Sequence, residues 1–307
     1  MRITTSMVQR NVLADLNSLS VQLSKTQTKA ASQKEITRPS DDPYGTAQAM
    51  GLRSSIGANE QFIRNNEDSQ AWMDTTESAL DSITGMVHTV QNLLLEGAND
   101  SADATARVSI AQQIDQIIQG VKETANATMN GKYVMSGTAT SVAPYKQGAD
   151  DAYQGNQAGL DPAVPGIVRE IGPGVTMTIN TVAQEILGDG RANPADGKLL
   201  NVLRDISDHL KANDGDALRG GDMQALGASL DKLLEVRARN GAQSNRLESA
   251  NTRLEQINGA LTERLSNTED ADFAKTLIEF NQQNAAYQAA LRAGANIVQS
   301  SLMDFLR

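Results

Sequence analysis

A mainly α fold is what this sequence predicts: a long antiparallel helical bundle and coiled-coil rod built from the N- and C-terminal segments, with one small inserted β-rich domain. Three observations carry the prediction. Apolar residues recur at steps of three and four through most of residues 3–130 and 197–306, the period of helices that bury one face. Aromatics are only 3% of the 307 residues, so any core is made of Leu, Ile, Val, Met and Ala, which suits packed helices over an aromatic-lined pocket. The texture changes once, where residues 131–196 become rich in Gly, Pro and Asp.

The first helix is expected from about residue 4 to 35, with Val8, Val12, Leu16, Leu19 and Leu23 on one face. The last is expected over about 271–306, with a stripe of Leu291, Val298, Leu302 and Phe305. Both stripes run out to the chain ends, where soluble domains usually fray, and the sequence closes on Leu306 and Arg307 without a polar tail. An isolated pair of such helices is marginal in water. These nine side chains are therefore expected to be an assembly interface, buried first against each other and then against further copies, and ordered when those copies cover them.

Between the first and second helices stands Pro39-Ser40-Asp41-Asp42-Pro43. Pro39 pushes Arg38 out of the helical region, and Asp42 is placed to cap a helix with Pro43 at its first position, where a missing N–H costs nothing. Capping carboxylates are commoner than a catalytic pair in such a setting. A helix over about 60–96, roughly 55 Å long, carries Trp72, Thr76, Ala79, Ile83, Val87, Val90 and Leu94. After Gly97-Ala98-Asn99-Asp100-Ser101 a second series follows, Val108, Ala111, Ile114, Ile118, Val121 and Ala125.

In the insert, Lys132-Tyr133-Val134-Met135 and Gly174–Ile179 read as short strands, the second alternating with Val175, Met177 and Ile179 on one face after a Gly172-Pro173-Gly174 turn. Helical texture resumes with Leu199, Leu203, Ile206 and Leu210. Gly215, Gly220 and Gly221 are expected to mark a turn. A long region to about 266 then carries Leu226, Leu230 and Leu233, followed by a seam of Leu247, Ala250, Leu254, Ile257, Leu261 and Leu265. Gly241 and Gly259 each cost about 1 kcal/mol inside that helix and are expected either to be outweighed by packing or to mark close helix approach. The expected domains are residues 1–42 and 267–307 for the terminal helices, 43–131 and 197–266 for the bundle, and 132–196 for the insert.

Composition removes several chemistries. Lys and Arg total 27 against 37 Asp and Glu, a net charge of −10, which disfavours a nucleic-acid partner. There is no cysteine, so no disulfide, thiol nucleophile or thiolate metal site. No run approaches the roughly 18–20 apolar residues of a membrane span, and no Sec-type leader is read at the N-terminus, so no membrane insertion is expected and export, if any, takes another route. His88 and His209 have no ligand-spaced companions. Asp214-Gly215-Asp216 with Asp222 lacks the order of a calcium loop, so solvated loop carboxylates are expected there. No catalytic residue, cofactor site or metal site is assigned, and the chain is not expected to be an enzyme.

Several pieces of this chain resemble the flagellin superfamily over roughly residues 1–131 and 223–307. They are Pro39-Ser40-Asp41-Asp42-Pro43; Asn65-Asn66-Glu67-Asp68 followed by Thr75-Thr76-Glu77-Ser78-Ala79-Leu80; Arg239-Asn240-Gly241-Ala242 with Asn245-Arg246-Leu247; and Glu269-Asp270-Ala271-Asp272-Phe273-Ala274. Within the superfamily, Met1-Arg2-Ile3-Thr4-Thr5-Ser6-Met7, the P-S-D-D-P form of the break and Asn130–Thr138 entering the insert (usually with Phe where Met135 stands) look closer to the hook–filament junction branch than to filament-forming flagellins. The resemblance implies a structural subunit of the bacterial flagellum that joins hook to filament, its terminal helices forming an inner coiled-coil layer around an export channel. It implies as partners copies of itself, neighbouring hook-associated and flagellin subunits, and an export chaperone at the C-terminal helix. It implies secretion by the flagellar type III route to an extracellular site without a cleaved signal peptide. The alternatives are a short flagellin that builds the filament itself, or a secreted helical effector.

Overall fold

The structure, a computed structural model, describes residues 5–100, 102–148, 150–160 and 164–305, without the side chains of residues 5, 6, 8, 9 and 296–305. In chain order the elements are α1 (Thr5–Ser32), α2 (Pro43–Ala98), α3 (Ala104–Ala125), β1 (Thr128–Met129), β2 (Lys132–Tyr133), β3 (Val168–Gly172), β4 (Val175–Thr178), α4 (Ala183–Leu187), α5 (Leu199–Lys211), α6 (Gly215–Ala217), α7 (Met223–Glu269) and α8 (Phe273–Phe305). The architecture is mainly α with two small antiparallel ribbons, β1–β2 and β3–β4. The chain divides into two compact units: Met1–Ala58 with Ile257–Arg307, and Asn59–Gln256. The division falls inside α2 and α7, which contribute residues to both units, and not in the linkers at 42 and 267 where the sequence puts domain boundaries.

The second unit holds the main hydrophobic core. On α2 the whole sequence-predicted stripe from Trp72 to Leu94 is buried, and it meets Ile110, Ile114, Ile118 and Val121 of α3 together with Leu199, Leu203, Ile206 and Leu210 of α5 and Leu226, Leu233 and Val236 of α7. Asp103 caps α3 by accepting from the Ala106 amide at 2.7 Å. Val108 leaves the stripe expected for it and is exposed, and the neighbouring Arg107 is buried in its stead. Its guanidinium binds the Gly97 carbonyl at 2.9 Å and the Asn213 side chain at 2.6 Å, so one long cation closes two helix breaks at once. Gly97 itself has no room for a Cβ, which would lie 2.5 Å from Leu210 Cδ2.

The insert is less regular than its expected β-rich character. Asn130 and Gly131, both at positive φ, make the two-residue turn between β1 and β2. Gly174, at φ 67, turns β3 into β4. Between the ribbons the chain is held by side chain–backbone bonds, such as the reciprocal pair between Asn126 and Tyr145 at 2.7 and 2.9 Å. Val134, Met135, Tyr145, Ile171 and Ile179 are buried in the same cluster as the helices, so the insert shares the bundle core.

The turn read from Gly215, Gly220 and Gly221 lies earlier than expected. The chain turns at Ala212–Asp214, where Asn213 takes a left-handed φ of 59. Asp214 then caps α6 through the Ala217 amide at 3.0 Å, and Gly220–Gly221 sit in a π-turn that runs into α7. The Asp214 cap, worth about 1 kcal/mol, offsets part of the roughly 2 kcal/mol that two helical glycines cost.

Candidate assembly surface

In the first unit α1 and α8 lie antiparallel: a Cβ on Gly294 would meet Val12, Thr26 bonds to Gln283, and Lys34 pairs with Asp270. The α1 face in this seam is Val12, Leu16, Leu19, Leu23, Thr26 and Ala30, stepping by four and three; the α8 face is Thr276, Phe280, Gln283, Tyr287, Ala290 and Gly294, stepping likewise. Both are the 3.5-residue repeat of a coiled-coil seam. What the seam buries is small or polar. Among the described side chains of the two helices only Thr26 and Thr276 are fully buried, with Gly294 beside them. Thr26 Oγ1 donates to Gln283 Oε1 at 2.6 Å, one polar contact that fixes the register of the pair. Gly294 is the close approach of the pair, since an added Cβ would stand 3.1 Å from Val12 Cγ1.

The linkers tie the same unit together. Gln33, at φ 57, ends α1 and accepts from the Ala271 amide at 2.9 Å, while the Glu35 amide donates to the Glu269 carbonyl at 2.7 Å. The Glu269 carboxylate, almost wholly buried, accepts from Lys34 Nζ at 2.6 Å and Arg53 at 2.5 Å. Hydrogen bonds to Asp270 and then Glu269 raise the Lys34 pKa, and Asp270 is lowered by the same bond and by Ser266. Asp272 starts α8 by accepting from the Lys275 amide at 3.1 Å.

The Pro39–Pro43 segment acts as a hinge-pin between α1 and α2. Pro39 and Ser40 occupy a turn closed by the Asp41 amide on the Arg38 carbonyl at 2.9 Å. Asp41 accepts from Thr37 Oγ1 and the Arg38 amide, and pairs with Lys25 of α1 at 3.0 Å; the Lys25 bond and then Thr37 hold its pKa down at about 2. Asp42 Oδ1 accepts from the Tyr44 and Gly45 amides at 3.1 and 3.0 Å, with Pro43 as the first residue of α2.

Of the two apolar stripes read from the sequence, Val12, Leu16, Leu19 and Leu23 lie in the α1–α8 seam, half-buried. The side chains of Val8, Val298, Leu302 and Phe305 lie outside those described. Leu291 sits at the edge of the seam and is 45% exposed. The pair leaves a second set of large apolar side chains in solvent: Leu13 at 66%, Val21 at 62%, Ile278 at 57% and Phe273 at 53%. The sequence reading missed this outward set and the small, polar heptad of Thr276, Gln283 and Ala290. The signal was the seven-residue spacing itself, which a search for large apolar residues passes over. Further along, Ile257 is exposed where a seam position was expected, and the Asn258 side chain turns inward beside it. Gly241 and Gly259 have nothing within 4 Å of an added Cβ, so neither marks a close helix approach.

In the second unit, buried charged groups tie elements of the fold together. Lys122, fully buried, donates to the Gly148 and Asp150 carbonyls at 2.8 Å and to Asp151 at 3.1 Å. Arg204 binds Asp151 twice, at 2.9 and 3.1 Å. Burial of Asp151 pushes its pKa up, but the bonds from Arg204 and Lys122 win and hold it low. This network pins the insert to α3 and α5. His209 Nδ1 lies 2.8 Å from Asp222, which raises the imidazole pKa, while burial raises that of Asp222. Asp222 is thus a buried partner of His209 and not the solvated loop carboxylate expected. Among the described residues no group of three or more His, Cys, Asp or Glu could hold a metal ion, and no helix is long and apolar enough to cross a membrane.

The four sequence pieces that carry the resemblance each make such contacts. Asp41 and Asp42 build the capping turn; Asn65 and Asn66 donate to the carbonyls of Glu170 and Ile171 in the β3–β4 ribbon; Asn240 reaches the Met73 carbonyl at 3.3 Å; Glu269 is the hub of the linkers. Comparison with known proteins agrees with this pattern. The profile of the bacterial flagellin N-terminal helical region matches residues 3–140, and that of the C-terminal helical region matches residues 223–306. The chain is 28% identical to the flagellin of Bacillus subtilis and 25% identical to flagellar hook-associated protein 3 of Salmonella typhimurium, in both cases over 100% of each chain. Its fold is similar to that of the flagellar junction protein FlgL from Legionella pneumophila, with a TM-score of 0.55 and 13% identity over 74% of this chain and 100% of that one.

Proposed function

A chain whose two ends match the two helical regions of bacterial flagellin belongs to the flagellin family, and on that premise we propose that it is the subunit that joins hook to filament, assembling through its terminal helices and acting by packing and not by catalysis. The observation that carries the assembly role is the α1–α8 pair, which buries two threonines and a glycine while Leu13, Val21, Phe273, Ile278 and Leu291 stand in solvent. At about 25 cal/mol per Å² of apolar surface, covering these side chains by neighbouring subunits supplies stabilisation that the pair by itself lacks. The partners in this reading are further copies, the hook-associated and flagellin subunits on either side, and before export a chaperone over the C-terminal helix. Export proceeds without a cleaved leader, and the finished site is the extracellular flagellum.

A strain lacking this chain tests the role. Hooks are expected to persist, with flagellin exported but unattached and swimming lost; filaments that still grow on those hooks overturn the reading. The second reading, a short flagellin, rests on the 28% identity to the Bacillus subtilis flagellin. Purified protein that grows long filaments without hooks would establish it in place of the junction role.

A further inference from the structure

Within the second unit a groove of about 660 Å³ runs between α2 and α7, lined among others by Asn66, Glu67, Gln70, Asp74, Glu248 and Asn251. Three amide oxygens of this lining, Asn66 Oδ1, Gln70 Oε1 and Asn251 Oδ1, are buried with no hydrogen-bond partner among the described residues, and Asn66 is only 1% exposed. Their orientation follows from their other ends. The Asn66 nitrogen donates to the Ile171 carbonyl, the Gln70 nitrogen to the Asp74 carboxylate at 2.8 Å, and the Asn251 nitrogen to the Glu255 carboxylate at 2.9 Å. Flipping any of the three would set oxygen against oxygen, so each is held as an acceptor. A buried acceptor left without a donor is destabilising, so a donor that reaches it is favoured. Glu67, Asp74 and Glu248 add negative charge, and among the described residues no cationic side chain lines the groove.

We propose that this groove is an interface that takes an arginine side chain from a second copy of this chain. A guanidinium carries five N–H donors in one plane, which suits several fixed acceptors better than the single point charge of a lysine. The chain supplies the cation: Arg169 on β3 and Arg253 and Arg264 on α7 are all exposed. With a net charge of −10, copies approach each other favourably only where such cations meet acidic ground. The choice of a second copy as occupant rests on the assembly role proposed above; the chemistry of the groove does not.

The test uses the absence of native cysteine. A motile strain expressing Glu248→Cys is labelled with a thiol-anchored photo-crosslinker on isolated flagella. A product of twice the chain mass, whose second peptide contains an exposed arginine of this sequence, is expected. No product, a monomer-sized product, or a product with a hook or flagellin chain overturns the proposal. If the chain is absent from isolated flagella, the junction role falls, and the same cross-link is read on the concentrated purified protein. A second measurement isolates the chemistry. N-acetyl-arginine amide titrated into the purified full chain is expected to shift the side-chain amide NMR signals of Asn66, Gln70 and Asn251, N-acetyl-lysine amide to shift them at least threefold less, and Glu67→Lys with Glu248→Lys to abolish the response. Equal responses to both amides, or none, overturn it.

Discussion

Along α2 and α3 the side chains that vanish from solvent include Leu80, Ile83, Val87, Leu94, Ile114 and Ile118; along α1 and α8 the buried positions among the described residues are Thr26, Thr276 and Gly294. Both sets follow helical spacing, and both belong to helices that pack side by side. The difference is the volume of what is buried. Four helices and the insert converge on the first set, so every large side chain there has neighbours on all sides. A two-helix pair has one seam only, and the large residues outside it stay wet. The same periodicity therefore yields a self-sufficient core in one unit and an incomplete one in the other, and the incomplete one leaves large apolar side chains such as Leu13, Val21 and Ile278 in solvent.

The contrast is sharpest at buried charge. Lys122→Met leaves Asp151 short of one of its two cations in a dry site and is expected to cost about 3–5 kcal/mol in urea denaturation. Lys34→Met takes a 40%-exposed cation from the buried Glu269 carboxylate, which keeps Arg53, and is expected to cost less, about 1–3 kcal/mol. Equal losses would mean the two units are equally dry. Core truncation comes next. Ile118→Ala is expected to cost about 2–5 kcal/mol, whereas Leu16→Ala should leave that transition within about 0.5 kcal/mol while abolishing assembly. A Leu16→Ala chain that still assembles into working flagella would break the comparison.

Glycines separate the units more gently. Gly241→Ala has open space and is expected to stabilise by about 0.4–1 kcal/mol, read as a rise in Tm. Gly294→Ala meets Val12 at 3.1 Å and is expected to give no gain and weaker assembly. The smallest effect is on pH. The His209 pKa is raised above its ordinary 6.5 by the bond to Asp222, so the stability it contributes is complete below 6.5 and is lost as pH rises through the folded value. Burial raises Asp222 in the same sense. His209→Gln is expected to flatten the decline in stability as pH rises above 6.5; an unchanged slope would show that the pair does not titrate there.

Much of this was legible before any coordinates. The α2 stripe from Trp72 to Leu94 is buried at every position, because a long run of one residue class at one period leaves a helix a single way to face the core. Asp42 with Pro43 marks a helix start by local chemistry alone. Less was legible where one residue off the period changes the outcome. Val108 and Arg107 differ by 100° around α3, and only the distant carbonyl of Gly97 and side chain of Asn213 explain why the charged one turned inward. Ile257 fits the seam by count and stands in solvent, because nothing in the sequence says where on α7 the neighbouring helix ceases to cover it.

The sequence by itself determined the helices, the break at Pro39–Pro43, the place of the insert and the absence of thiol chemistry, all of which follow from local propensity, periodicity and composition. Tertiary structure alone decided which apolar residues are covered, that Lys122 and Arg204 converge on Asp151, that the seam of the terminal pair is closed by Thr26, Gln283 and Gly294, and that three residues with unpaired buried amide oxygens border one groove. The physical reason is range. Helix formation is settled within a few residues, but burial and polar pairing depend on groups far apart in the chain, from 29 positions for Lys122 and Asp151 to 257 for Thr26 and Gln283, whose meeting only the folded chain brings about.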